Sequence, residues 1–405
     1  MKKLTKRSLV AAFLLVGLSS QSFAAESLSE AFTNGKVKGE LKSYYFDEAY
    51  DSANASNNSV WANGIKLGYV TNSFKGLKLG STFQLSSTTS IDDDAGKQNK
   101  TMHASGAVLS EAYLEYKYKN TTFKGGRQFI SLPLIKGSGS RLIKESFEGY
   151  FLSNTDIPDT LISLGKVTKY QTRTDGVTKT TNSASFSNTN SNVGDTGEFN
   201  KIGTDGAISL YIKNNSIKKL AIQAHYVDFI DEVATLYVDA KYKFGGDFKP
   251  FVAAQYYNSN YDDNTIDNSS MYGYKIGATL VGFNLHASYT STDDDGNVTR
   301  GIGESATASF TNATSTTGNY IAGTDSWQVG VSKKFNSLDA KIKYTKSDAV
   351  LEKNDLEQTY FGLKYKFSGA LKNLSASAEY TFYDYGRGND TKDKNELRTK
   401  LIYKF

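Results

Sequence analysis

The last ten residues, Glu396-Leu-Arg-Thr-Lys-Leu-Ile-Tyr-Lys-Phe405, limit what this chain can fold into more than any other stretch. Leu397, Thr399, Leu401, Tyr403 and Phe405 share one face of an extended segment, and Arg398, Lys400, Ile402 and Lys404 share the other. Alternation with a period of two is the signature of a strand with one apolar and one polar surface. Two settings satisfy it. One is the edge of a soluble β-sandwich; the other is a wall between lipid and water.

The N-terminus bears on the choice. Lys2, Lys3, Lys6 and Arg7 precede an apolar core at residues 9–18, and Ser22-Phe23-Ala24 offers a small-x-small cleavage site. This reads as a secretory signal peptide over residues 1–24, too short to span a bilayer. Its removal takes four basic residues, leaving 43 basic against 42 acidic side chains. With a net charge of only +1, nucleic-acid binding loses its main support. The chain has no cysteine, so neither a lipid anchor at the cleavage site nor a disulfide framework is expected.

Fifty Tyr and Phe residues coexist with three prolines and a mean hydropathy of −0.45. A soluble core built on so many aromatics would need continuous apolar runs, and after the leader there are none. A transmembrane barrel removes the conflict, because lipid-facing and lumen-facing residues alternate and average to polar. Eighteen such segments can be counted, near 37–46, 64–70, 77–85, 111–118, 122–129, 147–153, 161–167, 208–212, 220–226, 234–244, 251–257, 272–280, 283–289, 327–335, 338–344, 359–367, 374–382 and 396–405. Short connections such as 119–120, 214–219, 281–282, 336–337 and 368–373 alternate with mostly longer polar ones, including 86–110, 169–205, 291–325 and 384–395. Short turns on one side and long loops on the other is the layout of an outer-membrane barrel, and an even count leaves both termini periplasmic. The expected fold class is therefore all-β: a transmembrane antiparallel β-barrel of about 18 strands, one domain over residues 25–405. Aromatic clusters at segment ends, Tyr44-Tyr45-Phe46, Tyr256-Tyr257, Tyr403 and Phe405, suit the membrane–water interface.

One inter-strand stretch carries more than polar filler. Ile130-Ser-Leu-Pro-Leu-Ile-Lys-Gly-Ser-Gly-Ser-Arg-Leu-Ile-Lys-Glu-Ser-Phe-Glu-Gly149 follows Lys124-Gly-Gly-Arg-Gln128. With the opening Phe32-x-x-Gly35-Lys36-Val37-x-Gly39 through Tyr44-Tyr45-Phe46-Asp47, these residues resemble the OprD family of substrate-selective outer-membrane porins, its Campylobacterota branch most of all. The resemblance implies an eighteen-stranded monomer or homotrimer whose loop after the fifth strand, residues 130–146, folds into the lumen as a constriction. It also implies a ladder of basic residues that leads carboxylated solutes through. Carried onto this chain, Ser138, Ser140, Arg141 and Lys144 would form the constriction. By alternation Arg398, Lys400, Lys364, Lys366, Lys341 and Lys343 would line the pore. Fixed cations in a narrow lumen attract an anion and pass it from site to site. Glu40, Glu115 and Glu148 also alternate inward and would cancel part of that field. Most ladder candidates are Lys where the family favours Arg, and Lys lacks the planar fork that grips a carboxylate.

Other motifs point nowhere stronger. Gly301-Ile-Gly-Glu-Ser-Ala306 matches a dinucleotide fingerprint but lies in a loop with no βαβ unit, so it reads as chance. Asp92-Asp93-Asp94 and Asp293-Asp294-Asp295-Gly296-Asn297 lack the spacing of a calcium loop and read as solvated loop tips, with divalent bridging to lipopolysaccharide the alternative. Three histidines, His103, His225 and His286, have no serine motif beside them, so no catalysis is expected. The expectation is a passive diffusion channel for small hydrophilic solutes with some preference for anionic or carboxylate-bearing ones, with no cofactor and no metal. Its partners would be the membrane, lipopolysaccharide and an insertion machinery that reads Phe405. A non-selective general porin, and a surface adhesin or structural barrel, remain the alternatives.

Overall fold

The computed structural model describes residues 25–52, 55, 57–91, 106–173, 198–314, 318–386, 388 and 390–405. The leader expected at 1–24 lies outside them. The described chain opens with a short helix, α1 (Leu28–Thr33), whose first turn is capped by the Ser27 hydroxyl accepting from the Glu30 N–H at 3.1 Å. There follow β1 (Lys36–Tyr50), β2 (Asn58–Val70), β3 (Leu77–Ile91), β4 (Gly106–Tyr118), β5 (Thr121–Gln128), β6 (Ser146–Asn154) and β7 (Thr160–Gln171). The two-residue β8 (Asn200–Lys201) precedes β9 (Ala207–Asn214), β10 (Leu220–Phe229), β11 (Val233–Lys243), β12 (Phe251–Tyr261), β13 (Ser269–Leu280) and β14 (Phe283–Thr292). The last five are β15 (Asp325–Phe335), β16 (Leu338–Asp348), β17 (Leu356–Lys366), β18 (Leu374–Tyr385) and β19 (Lys394–Lys404).

Each strand pairs antiparallel with its neighbour, β7 pairs with β9, and β19 pairs back onto β1, with Glu40 opposite Lys404 and Tyr45 opposite Thr399. The sheet is therefore closed. Apart from β8, which only extends the top of β7, eighteen strands make the wall. Every one coincides with a segment that the alternation marks. The terminal residue helps to seal the seam: the Gly39 N–H donates to the Phe405 carbonyl at 2.8 Å, and the Phe405 N–H returns the bond at 3.1 Å. Closure leaves no edge strand, which is what lets a sheet stand in lipid.

The two faces are inverted relative to a soluble sheet. Leu41, Ile65, Leu67, Leu79, Phe83, Leu114, Phe361, Leu363, Leu401 and Tyr403 are exposed on the outside, while Lys42, Thr82, Gln84, Thr235 and Gln358 are buried on the inside. This excludes the β-sandwich. Short connections close one end, as at Val281-Gly282, where φ values of 51° and 78° give a two-residue hairpin between Leu280 and Phe283. The long connections gather at the other end. The aromatic clusters divide between the faces, contrary to a girdle made of whole clusters. Tyr45 and Tyr256 face outward, whereas Tyr44, Phe46 and Tyr257 are buried inside, because adjacent residues on a strand cannot share a side.

Two long connections fold inward and fill much of the upper lumen, residues 129–145 after β5 and, after β14, the described residues 293–314 and 318–324. Ile130, Leu134, Ile135, Val298, Ile302 and Tyr320 pack with Phe147, Tyr170, Val227, Tyr237 and Tyr257 of the wall into one apolar cluster.

Candidate functional site

The first inward connection is fastened to the wall by polar side chains of opposite strands. Gln84 on β3 donates to the Lys144 carbonyl and accepts from its N–H, both at 2.9 Å. Lys42 on β1 donates to the carbonyls of Arg141 at 2.7 Å and Gly139 at 3.2 Å. Across the barrel, Nδ1 of His225 on β10 accepts from the Leu134 N–H at 2.9 Å. Peptide groups carried into a lumen need such partners, since a buried unpaired N–H or C=O is costly.

His225 also stands 2.9 Å from the Ser209 hydroxyl through Nε2, a serine neighbour that no local motif announces. Because Nδ1 is already an acceptor, the neutral ring carries its proton on Nε2 and donates toward Ser209. It cannot take the hydroxyl proton, so the pair is a fastening and not a nucleophile with its base. His286 binds Gln328 at 3.1 Å, and His103 lies outside the described residues.

The second connection docks on the first. Ile302 exchanges backbone bonds with Leu134 at 2.9 Å and Lys136 at 3.0 Å. Gly301 and Gly303, the glycines of the discounted fingerprint, have φ values of 100° and 93° and press against those two carbonyls. A Cβ on Gly301 would lie 2.1 Å from the Leu134 oxygen. Gly301→Ala is therefore expected to part the two loops; limited proteolysis of the refolded barrel should cut within 293–324 faster than in the wild type, whereas Gly388→Ala should leave the rate unchanged.

Beneath that contact is a buried ionic cluster. One Glu145 oxygen accepts from the N–H groups of Ser138 at 2.7 Å and Glu304 at 2.9 Å; the other accepts from the Tyr170 hydroxyl at 2.6 Å. Arg173 reaches Glu145 at 3.8 Å and Glu304 at 3.2 Å, and donates to the Ser138 and Ser140 hydroxyls at 2.8 and 2.7 Å. Arg300 joins Glu304 at 3.5 Å. Burial, opposed by Arg173, pushes the Glu145 carboxyl up; Glu304, which is partly exposed, is held below the usual carboxylate range by Arg173 and Arg300.

The residues expected at the constriction are thus inside the barrel but in different roles of contact. Ser138 and Ser140 are engaged by Arg173. Arg141 is buried beside Tyr44, and burial with the neighbouring Arg173 and Arg398 holds it down to about 10. Lys144 sits apart, its Nζ 4.2 Å above the Phe129 ring. On the closing strand Arg398 is ion-paired with Glu396, and Lys400 with Glu379 at 3.5 Å. Lys42 and Lys66 share Glu40 at 3.4 and 3.3 Å.

Three strands along from β19 the wall differs. Lys341 and Lys343 on β16 face the Tyr360 ring at 5.3 and 5.4 Å, and Lys343 donates to the Asn312 carbonyl at 3.1 Å. No described carboxylate stands within 4 Å of either, nor of Lys275 on β13, which shares their field. Lys341, Lys364, Tyr360, Glu379 and Lys400 line an opening of about 490 Å³ below Gly139. Lys366 is exposed at the short-turn end, outside that lining.

Glu148, expected to point inward, is on the outer face: along β6 it shares a side with the exposed Tyr150 and Leu152, and it is bound to Lys169 at 3.0 Å and Arg127 at 3.5 Å. The register shift beside it places its extra residue, Thr168, in β7. Glu40 and Glu115 do face inward. Of the acidic runs, Asp92-Asp93-Asp94 lies outside the described residues, and Asp293 accepts from the Ser270 N–H and hydroxyl at 3.0 and 2.6 Å. Arg173, Glu145, Arg300, Glu304 and Lys275 were not expected as site residues, although Glu145 and Glu304 lie within quoted stretches.

The closed eighteen-strand antiparallel barrel is the fold that this chain shares with solved structures. Acinetobacter baumannii OccAB1 superposes with a TM-score of 0.75 at 16% identity, over 93% of this chain and 97% of that one. Pseudomonas aeruginosa OpdO gives 0.74 at 17% over 93% and 98%, and P. aeruginosa OccK9 (OpdG) gives 0.76 at 18% over 93% and 99%. No curated protein matches the sequence. The family model "outer membrane porin, OprD family" matches residues 30–405, so the chain belongs to that family of porins: it is a barrel of the cell outer membrane and a channel for the diffusion of small solutes.

Proposed function

We propose that this channel passes small hydrophilic solutes passively and favours anionic ones, carboxylates among them, without a cofactor or a catalytic step. The observation that carries the reading is the uncompensated charge of Lys275, Lys341 and Lys343 on the lumen side of β13 and β16. Fixed cations held in no ion pair among the described residues, with Asp339 and Glu379 farther than 4 Å in the same opening, set the sign of the field an incoming ion meets. Ser138, Ser140, Arg141 and Lys144 on the inward loop, with Arg398 and Lys400 on the facing strand, would shape the passage and take a smaller share of the field. Lys364 and Lys366 would extend it toward the periplasm. Phe405, bonded into the seam, would be the terminal residue that the insertion machinery reads; the barrel would work as a monomer or homotrimer.

The pairing of Lys42, Lys66, Arg398 and Lys400 with Glu40, Glu396 and Glu379 supports a second reading, a general porin of little selectivity. Reversal potential in a planar bilayer under a potassium chloride gradient separates the two, together with vesicle swelling in glucose and in gluconate. Chloride preference and faster entry of gluconate are expected. Equal entry with no reversal potential would leave the general porin, and no conductance at all would move the weight to a structural or adhesive barrel.

A further inference from the structure

The outer face of the wall near its extracellular rim carries mostly carboxylates among the described residues. Asp47, Asp228, Asp325, Glu357 and Asp384 occupy the same face as the exposed Tyr45, Tyr226, Trp327, Phe361 and Phe382. Lys346, on that rim, is held between Asp348 at 3.2 Å and Glu357 at 3.3 Å.

One sector is reversed. Arg127, Glu148 and Lys169 stand side by side on β5, β6 and β7, and Lys201 on β8 is paired directly across from Lys169. Lys166 lies one step lower, opposite Tyr150 on the same outward face. Among the described residues of this sector four cations stand about Glu148, and with the exposed Glu198 beside Phe199 the balance is a net charge of +2. The Phe199 ring stacks 4.1 Å from the Arg127 guanidinium, and Arg127 also donates to the Leu109 carbonyl at 3.4 Å. These contacts orient the guanidinium on a surface where a lone arginine would otherwise be mobile.

This face meets lipid and head groups, so its counter-ion must arrive sideways in the membrane plane and not through the lumen. Outward cations are tolerated only near the interface, and there they bind anionic head groups. An oriented guanidinium flanked by ammonium groups matches the oxygens of a phosphate monoester. We infer that Arg127, Lys169 and Lys201, with Lys166 below, form a site for the phosphate of a phosphorylated glycolipid in the outer leaflet. A second copy of this chain is the poorer occupant, because the same patch on a symmetry mate carries the same excess charge.

The test uses the refolded mature chain in detergent micelles, with lipid A carrying both phosphates and the same lipid with them removed. Native mass spectrometry would read retention of each by the wild type and by Arg127→Gln/Lys169→Gln/Lys201→Gln. Each cation near an anionic surface contributes roughly fivefold, so the triple variant should lose about a hundredfold in affinity for the phosphorylated form only. Conductance should not change, since none of the three faces the lumen; this separates failure of the site from failure of the channel reading. Equal retention of the two lipids by the wild type, or undiminished preference in the variant, would overturn the assignment. So would a variant that dissociates from oligomer to monomer in lipid-free micelles while retaining the lipid, which would mark the sector as an interface between copies. Should the triple variant not refold, Lys201→Gln alone, exposed and outside the wall, is expected to lose roughly fivefold, and no loss would overturn the assignment equally.

Discussion

Glu145→Ala is expected to release the inward loops and convert a steady conductance into a larger, fluctuating one. The substitution removes the acceptor for two backbone N–H groups and the Tyr170 hydroxyl at once, and it leaves Arg173 with only Glu304. Breaking a buried ion pair from one side costs about 3–5 kcal/mol, because the surviving charge stays desolvated. Since about 1.4 kcal/mol is a tenfold change, the ratio of docked to undocked loop should fall by roughly a hundredfold or more. The double variant Glu145→Leu/Arg173→Leu should be milder than either single change, because it leaves less uncompensated charge. Single-channel recordings of the wild type, Glu145→Leu, Arg173→Leu and the double variant form the cycle. If the double variant is as noisy as the sum of the singles, the cluster is not acting as one unit and the docking must rest on the Leu134–Ile302 backbone bonds.

The second large effect is on ion selectivity. Lys341→Glu/Lys343→Glu should invert it, whereas Arg398→Glu/Lys400→Glu should chiefly destabilise the barrel. Neither Lys341 nor Lys343 has a carboxylate partner, so reversal changes the lumen field without breaking an ion pair. A unit charge about 7 Å from a passing ion is worth roughly 0.6 kcal/mol at the dielectric of water. Reversing two such charges swings the balance by roughly 2.4 kcal/mol, more than tenfold in permeability ratio when salt is low enough not to screen it. Arg398 and Lys400 are engaged by Glu396 and Glu379, and reversal there would set carboxylate against carboxylate. Their variant should lose folded barrel at a lower temperature in a gel-shift assay. Should both variants shift the reversal potential alike, pairing in the static structure does not decide which cations the solute senses.

The same contrast shows how far the sequence reaches. Period-two alternation depends only on the geometry of an extended chain, so it marked all eighteen wall strands, the lipid-facing side of β19 and the inward aim of Lys341, Lys343, Arg398 and Lys400. The resemblance in residues 124–149 drew attention to the inward loop. What alternation cannot state is which residue lies across from which. Cross-strand register sets Glu379 across from Arg398 and on the diagonal from Lys400, which it pairs, while Lys341 faces Gly362, and so decides which cations are neutralised. A bulge re-phases a strand: the extra residue Thr168 in β7 turns Lys169 to the outer face, across from Glu148. Residues 301–306 match a nucleotide fingerprint by spacing, and their loop setting marks the match as chance. Only the closed wall, which brings Ile302 against Leu134 across 168 positions of chain, shows that the glycines let two backbones touch. Strand identity is local and was legible from one dimension; the pairing of charges and the docking of loops depend on closure of the sheet, and only the tertiary structure decided them.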